Sequence, residues 1–349
     1  MTLRGRVLQA MSGEDATLRG RLWRSALSAA VPGYALGNAL RSAGFAVGLK
    51  RTYPLGRPTV SVGNLTTGGT GKTPMVGYVV NRLIKQGHRP CILLRGYRGG
   101  DEAIEHERLL GEAVRVEPNP DRVAASKLAL SEDPSITCFV LDDGFQHRRA
   151  QRDLDLVLID ATIPWGYGYL LPRGLMREPR SALKRADAVV VTRSDQAPLE
   201  GLATLDEQIK SITGRPPIAH AEHTWSGLKD VRDQPHDLSL LADQSVMGVV
   251  GIGNPAAFEA TLNQHAKQVL HCEAQPDHHH YTRKQLLKLL DLATTAGAEA
   301  VVTTEKDWVK WSALLEDERL DLPIYRAVLA MRFRDGAEAV DSLITAVFS

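Results

Sequence analysis

Cysteine is scarce in this chain, and long apolar runs are missing. Only three of the 349 residues are cysteine, Cys91, Cys138 and Cys272, and no two of them have Cys-x-x-Cys spacing. This argues against a cysteine-based zinc site and is typical of a protein from a reducing compartment such as the cytosol. A chain of this length also needs no disulfide scaffold, because it buries roughly three quarters of its unfolded surface.

The longest run without a charged residue is short. It covers 16 residues, 25–40, and contains Pro32 and Gly33, whereas a membrane-spanning helix needs about 20 apolar residues. We therefore expect two helical segments that are interrupted at Pro32-Gly33. We expect neither a membrane-spanning helix nor a cleavable signal peptide.

The net charge of +1 conceals a basic end. Residues 1–57 contain nine Lys and Arg but only two acidic residues, Glu14 and Asp15, so the remainder of the chain is acidic. Apolar residues of this segment recur at helical spacing, which predicts an amphipathic helical segment. It either binds an anionic membrane surface or packs on the main core, and we expect no nucleic-acid partner, because no recognition module is visible. The apolar stripes are Leu22, Trp23, Ala26, Leu27, Ala30 and Val31, then Leu36, Leu40, Ala43 and Val47.

Short β-branched runs alternate with helical sequence after Arg57. This pattern is typical of an α/β fold, with a mostly parallel, buried sheet and helices on both faces. Polar, proline-containing stretches at 214–217 and 230–237 predict a domain boundary. The predicted division is an N-terminal helical segment at 1–57, a P-loop core at 58–229 and a second, smaller α/β domain at 230–349. Predicted strands are 59–62, 91–94, 137–141, 154–159 and 188–192, followed by 246–251, 300–303 and 324–328.

A glycine-rich stretch follows the first predicted strand and ends in Gly71-Lys72-Thr73. Glycines allow backbone N–H groups to surround phosphate oxygens, the lysine reaches the β and γ phosphates, and the hydroxyl binds Mg²⁺. Thr66 replaces the first glycine of the strict P-loop pattern, yet three glycines remain. We predict a nucleotide site made of Thr67, Gly68, Gly69, Thr70, Gly71, Lys72 and Thr73.

Two adjacent carboxylates, Asp142 and Asp143, follow the apolar run 137–141. A strand there would place them at the carboxyl edge of the sheet, where open α/β folds bind ligands. Carboxylates suit a hard cation, so together with Thr73 they predict a Mg²⁺ site.

These two motifs and six further blocks resemble the tetraacyldisaccharide 4'-kinases of lipid A biosynthesis. The blocks occur in the order of that family, over about residues 20 to 330, and Thr66 is shared with it. They are VGNLTTGGTGKTP at 62–74, RGY at 95–97, GDE at 100–102, NPDR at 119–122, DDGFQH at 142–147, LPRGLMREP at 171–179, DHH at 277–279 and TTEKD at 303–307.

The resemblance implies transfer of the γ-phosphate of ATP to the 4'-hydroxyl of a tetraacyldisaccharide 1-phosphate, with Mg²⁺, to give lipid IVA. It further implies a peripheral protein at the cytoplasmic face of the inner membrane of a Gram-negative-type bacterium, and we expect a monomer. Two alternatives remain open. One is a membrane-surface P-loop ATPase that acts as a conformational switch or partner-binding module, and the other is a nucleic-acid-binding ATPase.

The resemblance also assigns residue roles. Asp101 matches the candidate base, although Ala103 follows Glu102 where the family commonly has proline, and His278 matches its partner from the second domain. Lys72 and Arg177 would neutralise phosphate charge. The predicted metal-binding set is Thr73, Asp142, Asp143, Gln146 and Glu178.

Three further patterns resemble known site motifs only weakly. Gly251-Ile-Gly253 faintly imitates a dinucleotide-binding motif, but Pro255 follows, so a tight strand-to-helix turn is the better interpretation. Glu305 and Lys306 either cap a ligand cleft or form a surface ion pair. The histidines at 278–280 are spaced wrongly for a shared metal ion.

Overall fold

The computed structural model describes residues 3–13, 15–96, 101–111, 114–276, 279–316 and 320–349. The chain divides into two compact units. Unit 1 comprises Met1–Arg95, Asn119–Glu222 and Phe333–Ser349, and unit 2 comprises Gly96–Pro118 and His223–Arg332. The helices are α1 Leu3–Ser12, α2 Leu18–Ala46, α3 Lys72–Lys85, α4 Asp101–Leu110, α5 Arg122–Glu132, α6 Leu199–Thr213, α7 Pro255–His265, α8 Arg283–Thr295, α9 Glu305–Trp311 and α10 Ala337–Ala346. The strands are β1 Thr59–Asn64, β2 Pro90–Leu94, β3 Arg115–Pro118, β4 Cys138–Asp142, β5 Leu154–Asp160, β6 Ala188–Thr192, β7 Ala219–Lys229, β8 Pro235–His236, β9 Ser245–Val250, β10 Gln268–Ala274, β11 Ala300–Thr304 and β12 Ile324–Asp335.

Helix α2 is continuous, so the predicted interruption at Pro32-Gly33 is wrong. Thr17 caps the helix by accepting a hydrogen bond from the Gly20 N–H, and Pro32 lies inside it. Proline removes the donor that the Ser28 carbonyl would otherwise receive. Both residues are exposed, so that carbonyl can bond to water, and the helix tolerates the loss. Within the described ranges, none of the helices combines the length and apolar character that crossing a bilayer requires.

The sheet of unit 1 places five parallel strands in the order β2-β4-β1-β5-β6. Every residue of these strands is buried, which explains why their sequences are rich in Val, Leu and Ile. A few polar residues, among them Ser61 and Asp155, are buried with them. The first residues of β7, Ala219 and His220, add a parallel pair to β6. Helix α3 buries one stripe of its surface, composed of Met75, Val76, Val79, Val80 and Leu83. The strand order brings the carboxyl ends of β1 and β4 side by side.

Unit 2 has its own parallel strands in the order β10-β9-β11-β12, and β8 pairs antiparallel with the end of β7. Its core includes Met247, Tyr281, Trp308 and Trp311. Burial of such large aromatic side chains stabilises a small domain strongly.

The predicted fold class is confirmed, and all eight predicted strands are present. Most of their ends lie within two residues of the predicted positions. The unit boundaries differ from the predicted division. Residues 96–118 belong to unit 2, and residues 333–349 return to unit 1, while the central change falls between 222 and 223 rather than at 229/230. A chain that returns to its first unit leaves no composition signal at that point.

Candidate active site

The glycine loop leads from β1 directly into α3. Gly68 and Gly71 have φ values of 122° and 89°, which side-chain-bearing residues rarely adopt. Gly71 is the N-cap residue of α3 and carries no side chain with which to cap it. The first N–H groups of the helix, with the positive end of its dipole, therefore form an anion-binding site.

The loop carbonyls are held by residues at the end of β6. Thr192 Oγ1 donates to the Thr70 carbonyl at 2.9 Å, and a guanidinium nitrogen of Arg193 donates to the Gly69 carbonyl at 2.6 Å. Arg193 also pairs with the buried Asp160. These bonds orient two successive peptide planes and so fix the loop before any ligand binds.

Lys72 lies at the mouth of this loop. Its Nζ is 3.5 Å from Asn64 Oδ1 and 3.6 Å from Asp143 Oδ1. The Asn64 amide in turn donates to Thr70 Oγ1 at 2.7 Å. Because Lys72 is only partly exposed, its charge acts in a medium of lower effective dielectric than water.

The acidic turn begins where β4 ends. Asp142 is buried and Asp143 has a left-handed φ of 55°. A Cβ on Gly144 would lie 2.4 Å from Ser61 Oγ, so only glycine fits this close approach to β1. The buried Arg122 donates to the Asp142 carbonyl at 3.4 Å. The two carboxylates are thus fixed next to the glycine loop by the sheet itself.

Arg177 completes the site. It donates to Asp143 Oδ2 at 2.6 Å and to Gln146 Oε1 at 3.2 Å. The Gln146 amide nitrogen donates to the Asn64 carbonyl at 2.8 Å. Lys72, Asp143, Arg177 and Gln146 form one group, joined by hydrogen bonds and by the Lys72–Asp143 ion pair, with the two cations that phosphate binding requires.

Glu178, a predicted metal ligand, pairs with Arg185 at 2.6 Å and is buried. Gln146, another, has both ends of its amide engaged. Thr73, Asp142 and Asp143 offer the hard oxygen donors that Mg²⁺ prefers, so their chemistry fits this cation, although Asp143 also pairs with Lys72 and Arg177. The described residues include no cluster of three or more His, Cys, Asp and Glu side chains arranged for a metal.

His147 is part of the acidic motif but carries no charge near neutral pH. Burial, followed by the charges of Arg122, Arg152 and Arg41, lowers its pKa to about 4. Its Nε2 lies 3.3 Å from the Pro120 carbonyl oxygen. The histidine thus links the acidic turn to the loop before α5 as a neutral side chain.

Two predicted catalytic residues are not described at the level of side chains. Asp101 is the first residue of α4, in unit 2, and its side chain lies outside the described residues, as does all of His278. The structure instead adds site residues that the sequence interpretation missed. Asn64 and Arg122 stood inside the family-like blocks, whereas the contact of Arg193 with the loop has no local sequence signal.

The 303–307 block serves its own unit. Glu305 is buried and pairs with Arg326 at 3.0 Å, so the interpretation of Glu305 as half of a surface ion pair is wrong. Burial raises the pKa of Glu305, and the Arg326 charge opposes that rise. Arg326 is itself fully buried and also binds Asp233 at 2.6 Å.

Known proteins resemble this chain over nearly its whole length. The family model described as Tetraacyldisaccharide-1-P 4'-kinase matches residues 23–348. A tetraacyldisaccharide 4'-kinase of Geobacter metallireducens is 36% identical over 325 residues, with 86% of this chain and 92% of the relative covered. One from Anaeromyxobacter sp. strain K is 39% identical, with 79% of this chain and 78% of the relative covered.

A solved structure leads to the same group. The apo form of LpxK from Aquifex aeolicus in complex with ATP has a TM-score of 0.74 and 28% sequence identity, with 93% of this chain and 99% of that chain covered. The chain therefore belongs to the tetraacyldisaccharide 4'-kinase family.

Proposed function

We propose that this chain transfers the γ-phosphate of ATP to the 4'-hydroxyl of a tetraacyldisaccharide 1-phosphate, which gives lipid IVA. The observation that carries the proposal is the group formed by Lys72, Asp143 and Arg177 at the N-terminal end of α3. A transferring phosphoryl group is stabilised by cations, by a helix N-terminus without a side-chain cap and by an oriented glycine loop, and this site has all three.

The residues divide the work between binding and charge neutralisation. Gly68, Gly69 and Gly71 turn backbone N–H groups toward the triphosphate, and Lys72 and Arg177 stabilise the charge that spreads over the γ-phosphoryl oxygens. Thr67 and Thr70 shape the loop, because their N–H groups donate to the Leu175 and Gly68 carbonyls. When bound, Mg²⁺ neutralises phosphate charge, and Thr73, Asp142 and Asp143 would hold it.

In the transfer, the 4'-oxygen forms a bond to the γ-phosphorus as the bond from that phosphorus to the β–γ bridging oxygen breaks. ADP leaves with the electron pair of the broken bond. Asp101 accepts the hydroxyl proton, and His278 orients the Asp101 carboxylate. These two roles rest on the family-like blocks GDE and DHH.

The test is incubation with γ-labelled ATP and purified disaccharide 1-phosphate, followed by identification of the labelled lipid. Label on the 4'-position is expected. ATP hydrolysis that proceeds equally without acceptor would instead support a conformational-switch ATPase. Asp101→Ala should lower kcat by about 10²-fold or more and leave the ATP dissociation constant within about twofold. An unchanged kcat would remove Asp101 from the base position.

We further propose that α2 binds the protein to the cytoplasmic surface of an anionic inner membrane. Leu18, Leu22, Leu36, Leu40 and Val47 are 60–74% exposed and lie on one side of the helix. Such a stripe, in a segment rich in Arg, is typical of an interfacial helix. Holding the enzyme at the surface avoids extraction of the acyl chains, which costs about 0.8 kcal/mol per CH₂.

Vesicle flotation tests this second proposal. Wild type should bind vesicles that contain anionic lipid, less at high salt, whereas Leu36→Glu with Leu40→Glu should bind at least about tenfold more weakly. Ser28→Glu, an exposed change on the same helix, is the control for added charge. Equal binding of the two variants would refute membrane binding through the apolar stripe of α2. Light scattering in detergent checks the expected monomer.

A further inference from the structure

Helix α2 presents a second face, opposite the apolar stripe. Tyr34, Asn38 and Arg41 are spaced at i, i+4 and i+7, so they share one side of the helix. All three are less exposed than Leu36 and Leu40. The helix therefore carries hydrogen-bond donors on one face and apolar side chains on the other.

The donors on this face end on main-chain oxygens of the active site. Tyr34 Oη donates to the Arg177 carbonyl at 3.0 Å, and Asn38 Nδ2 donates to the same oxygen at 2.7 Å. Arg41 donates to the Gln146 carbonyl. A carbonyl oxygen has two lone pairs, so it can accept both bonds at Arg177.

The backbone of Arg177 is consequently held on both sides. Its N–H donates to the Leu65 carbonyl at 2.8 Å, just after β1, while its carbonyl is held by α2. Fixing both peptide planes fixes the direction of the Cα–Cβ bond. The long side chain then starts from a set origin toward Asp143 and Gln146.

We propose that Tyr34, Asn38 and Arg41 are positioning residues, which act through the main chain of Arg177 and Gln146 to hold the Arg177 guanidinium for phosphoryl transfer. The inference rests on the proposed kinase function and adds to it a link between the membrane-facing helix and the reacting group. Because α2 also bears the apolar stripe, the helix that meets the lipid surface sets the geometry of a charge-neutralising side chain.

The physical expectation is a loss of rate rather than of nucleotide binding. A displaced guanidinium weakens stabilisation of charge that develops in the transition state, whereas the glycine loop and Lys72 still hold ATP. Loss of a hydrogen bond to a carbonyl corresponds to about tenfold in rate.

The experiment compares Asn38→Leu, Tyr34→Phe and the exposed control Ser28→Ala, each assayed with ATP and the lipid acceptor in mixed micelles. Asn38→Leu should lower kcat about tenfold and Tyr34→Phe severalfold, with the KM for ATP within about twofold in both. Ser28→Ala should match wild type. Circular dichroism normalises kcat to folded protein, and Tyr34→Phe, which removes one hydroxyl, remains interpretable if Asn38→Leu folds poorly.

A double-mutant cycle with Arg177→Ala decides between positioning and general destabilisation. If Asn38 acts through Arg177, Asn38→Leu should cost less than about twofold further in the Arg177→Ala background. A loss as large as that in wild type, or an unchanged kcat for both single variants, would overturn the proposal. Absence of lipid phosphorylation by wild type would refute the proposed function instead, so the two failures are distinguishable.

Discussion

Two strand-to-helix turns of this chain look alike in sequence and differ in use. The β1–α3 turn of unit 1 and the β9–α7 turn of unit 2 each join the carboxyl end of a parallel strand to a helix through glycine. In the first, the N-terminal end of the helix carries no side-chain cap and Lys72 stands beside it. An external anion can complete that turn.

The second turn is completed by the protein itself. The Gly251 N–H donates to a carboxylate oxygen of Asp307 at 2.9 Å, and Asn254 caps α7 by accepting from the Ala257 N–H. A Cβ on Gly251 would lie 2.8 Å from Asp307 Oδ1 and 3.0 Å from the Tyr281 hydroxyl. The buried carboxylate occupies the place that a phosphate would need.

Glycine therefore permits a phosphate site without creating one. The turns differ in whether a side chain caps the helix that follows, and in whether a cation or a carboxylate stands next to the glycine. This difference favours a structural role for the Gly251 turn and a phosphate site at the Lys72 turn.

We expect the largest effect when the cation next to the β1–α3 turn is removed. Lys72→Ala should lower phosphoryl transfer by roughly 10³-fold, about 4 kcal/mol of transition-state stabilisation, because it removes the ammonium group that lies beside Asn64 and Asp143 at the loop. Steady-state kinetics with labelled ATP measures it. Lys127→Ala, exposed on α5, is the matched control. Retention of more than about a tenth of wild-type turnover would contradict the role of Lys72 in phosphate transfer.

Removing the carboxylate from the second turn should affect stability instead. Asp307 is fully buried and also accepts from Thr304 Oγ1 at 2.7 Å, so Asp307→Ala leaves several buried donors unsatisfied. We expect a loss of about 3 kcal/mol in the free energy of unfolding, measured by urea denaturation. Asp291→Ala, on the exposed side of α8, should cost little. A loss below about 1 kcal/mol for Asp307→Ala would mean that the turn does not depend on its carboxylate.

Local sequence predicted the parts of this molecule that are built from contiguous residues. The strands β1, β4, β5 and β6 are buried throughout, so short runs rich in β-branched and other apolar residues identified each of them. The family-like blocks predicted the family, the kinase activity and the use of ATP, and the comparisons confirm all three.

The parts that sequence missed depend on distant partners or on exposure. Strand β10 is half-exposed along its length and therefore lacks the apolar run of a central strand. The bonds from Arg193 to Gly69, and from Tyr34 and Asn38 to Arg177, join residues more than a hundred positions apart. No local pattern predicts such pairs, because they exist only once the strand order is set.

We expect a moderate effect of pH on the free energy of unfolding, through His147 next to the acidic turn. The folded-state pKa of His147, about 4, lies below the unfolded value of 6.5, so the unfolded chain takes up the proton first as pH falls. The stability that neutral His147 contributes is fully present above about pH 6.5 and is lost toward pH 4. Between about pH 7.5 and pH 5 wild type should lose roughly 2 kcal/mol more than His147→Gln in urea titrations. Parallel pH profiles for the two proteins would exclude His147 as the cause.

The smallest expected effect comes from replacing one hydroxyl by a methyl group at each turn, in Thr192→Val and Thr303→Val. Thr192 and Thr303 are fully buried threonines that each donate to a main-chain carbonyl, at 2.9 Å to Thr70 in the glycine loop and at 2.7 Å to Val249 in β9. Replacement by valine keeps the shape and removes the hydroxyl, so each variant should lose about 1 kcal/mol of stability.

Only Thr192→Val should also raise the KM for ATP, by about fivefold, because it alone frees a peptide plane of the phosphate-binding loop. Thr303→Val is the matched control, since it removes the same hydroxyl from a turn whose N–H is held by Asp307. Thermal unfolding and ATP titration of the pair measure both quantities. If the two variants raise the KM for ATP equally, the hydrogen bond from Thr192 to the Thr70 carbonyl does not orient the glycine loop for phosphate binding. The functional difference between the two turns would then depend on Lys72 alone.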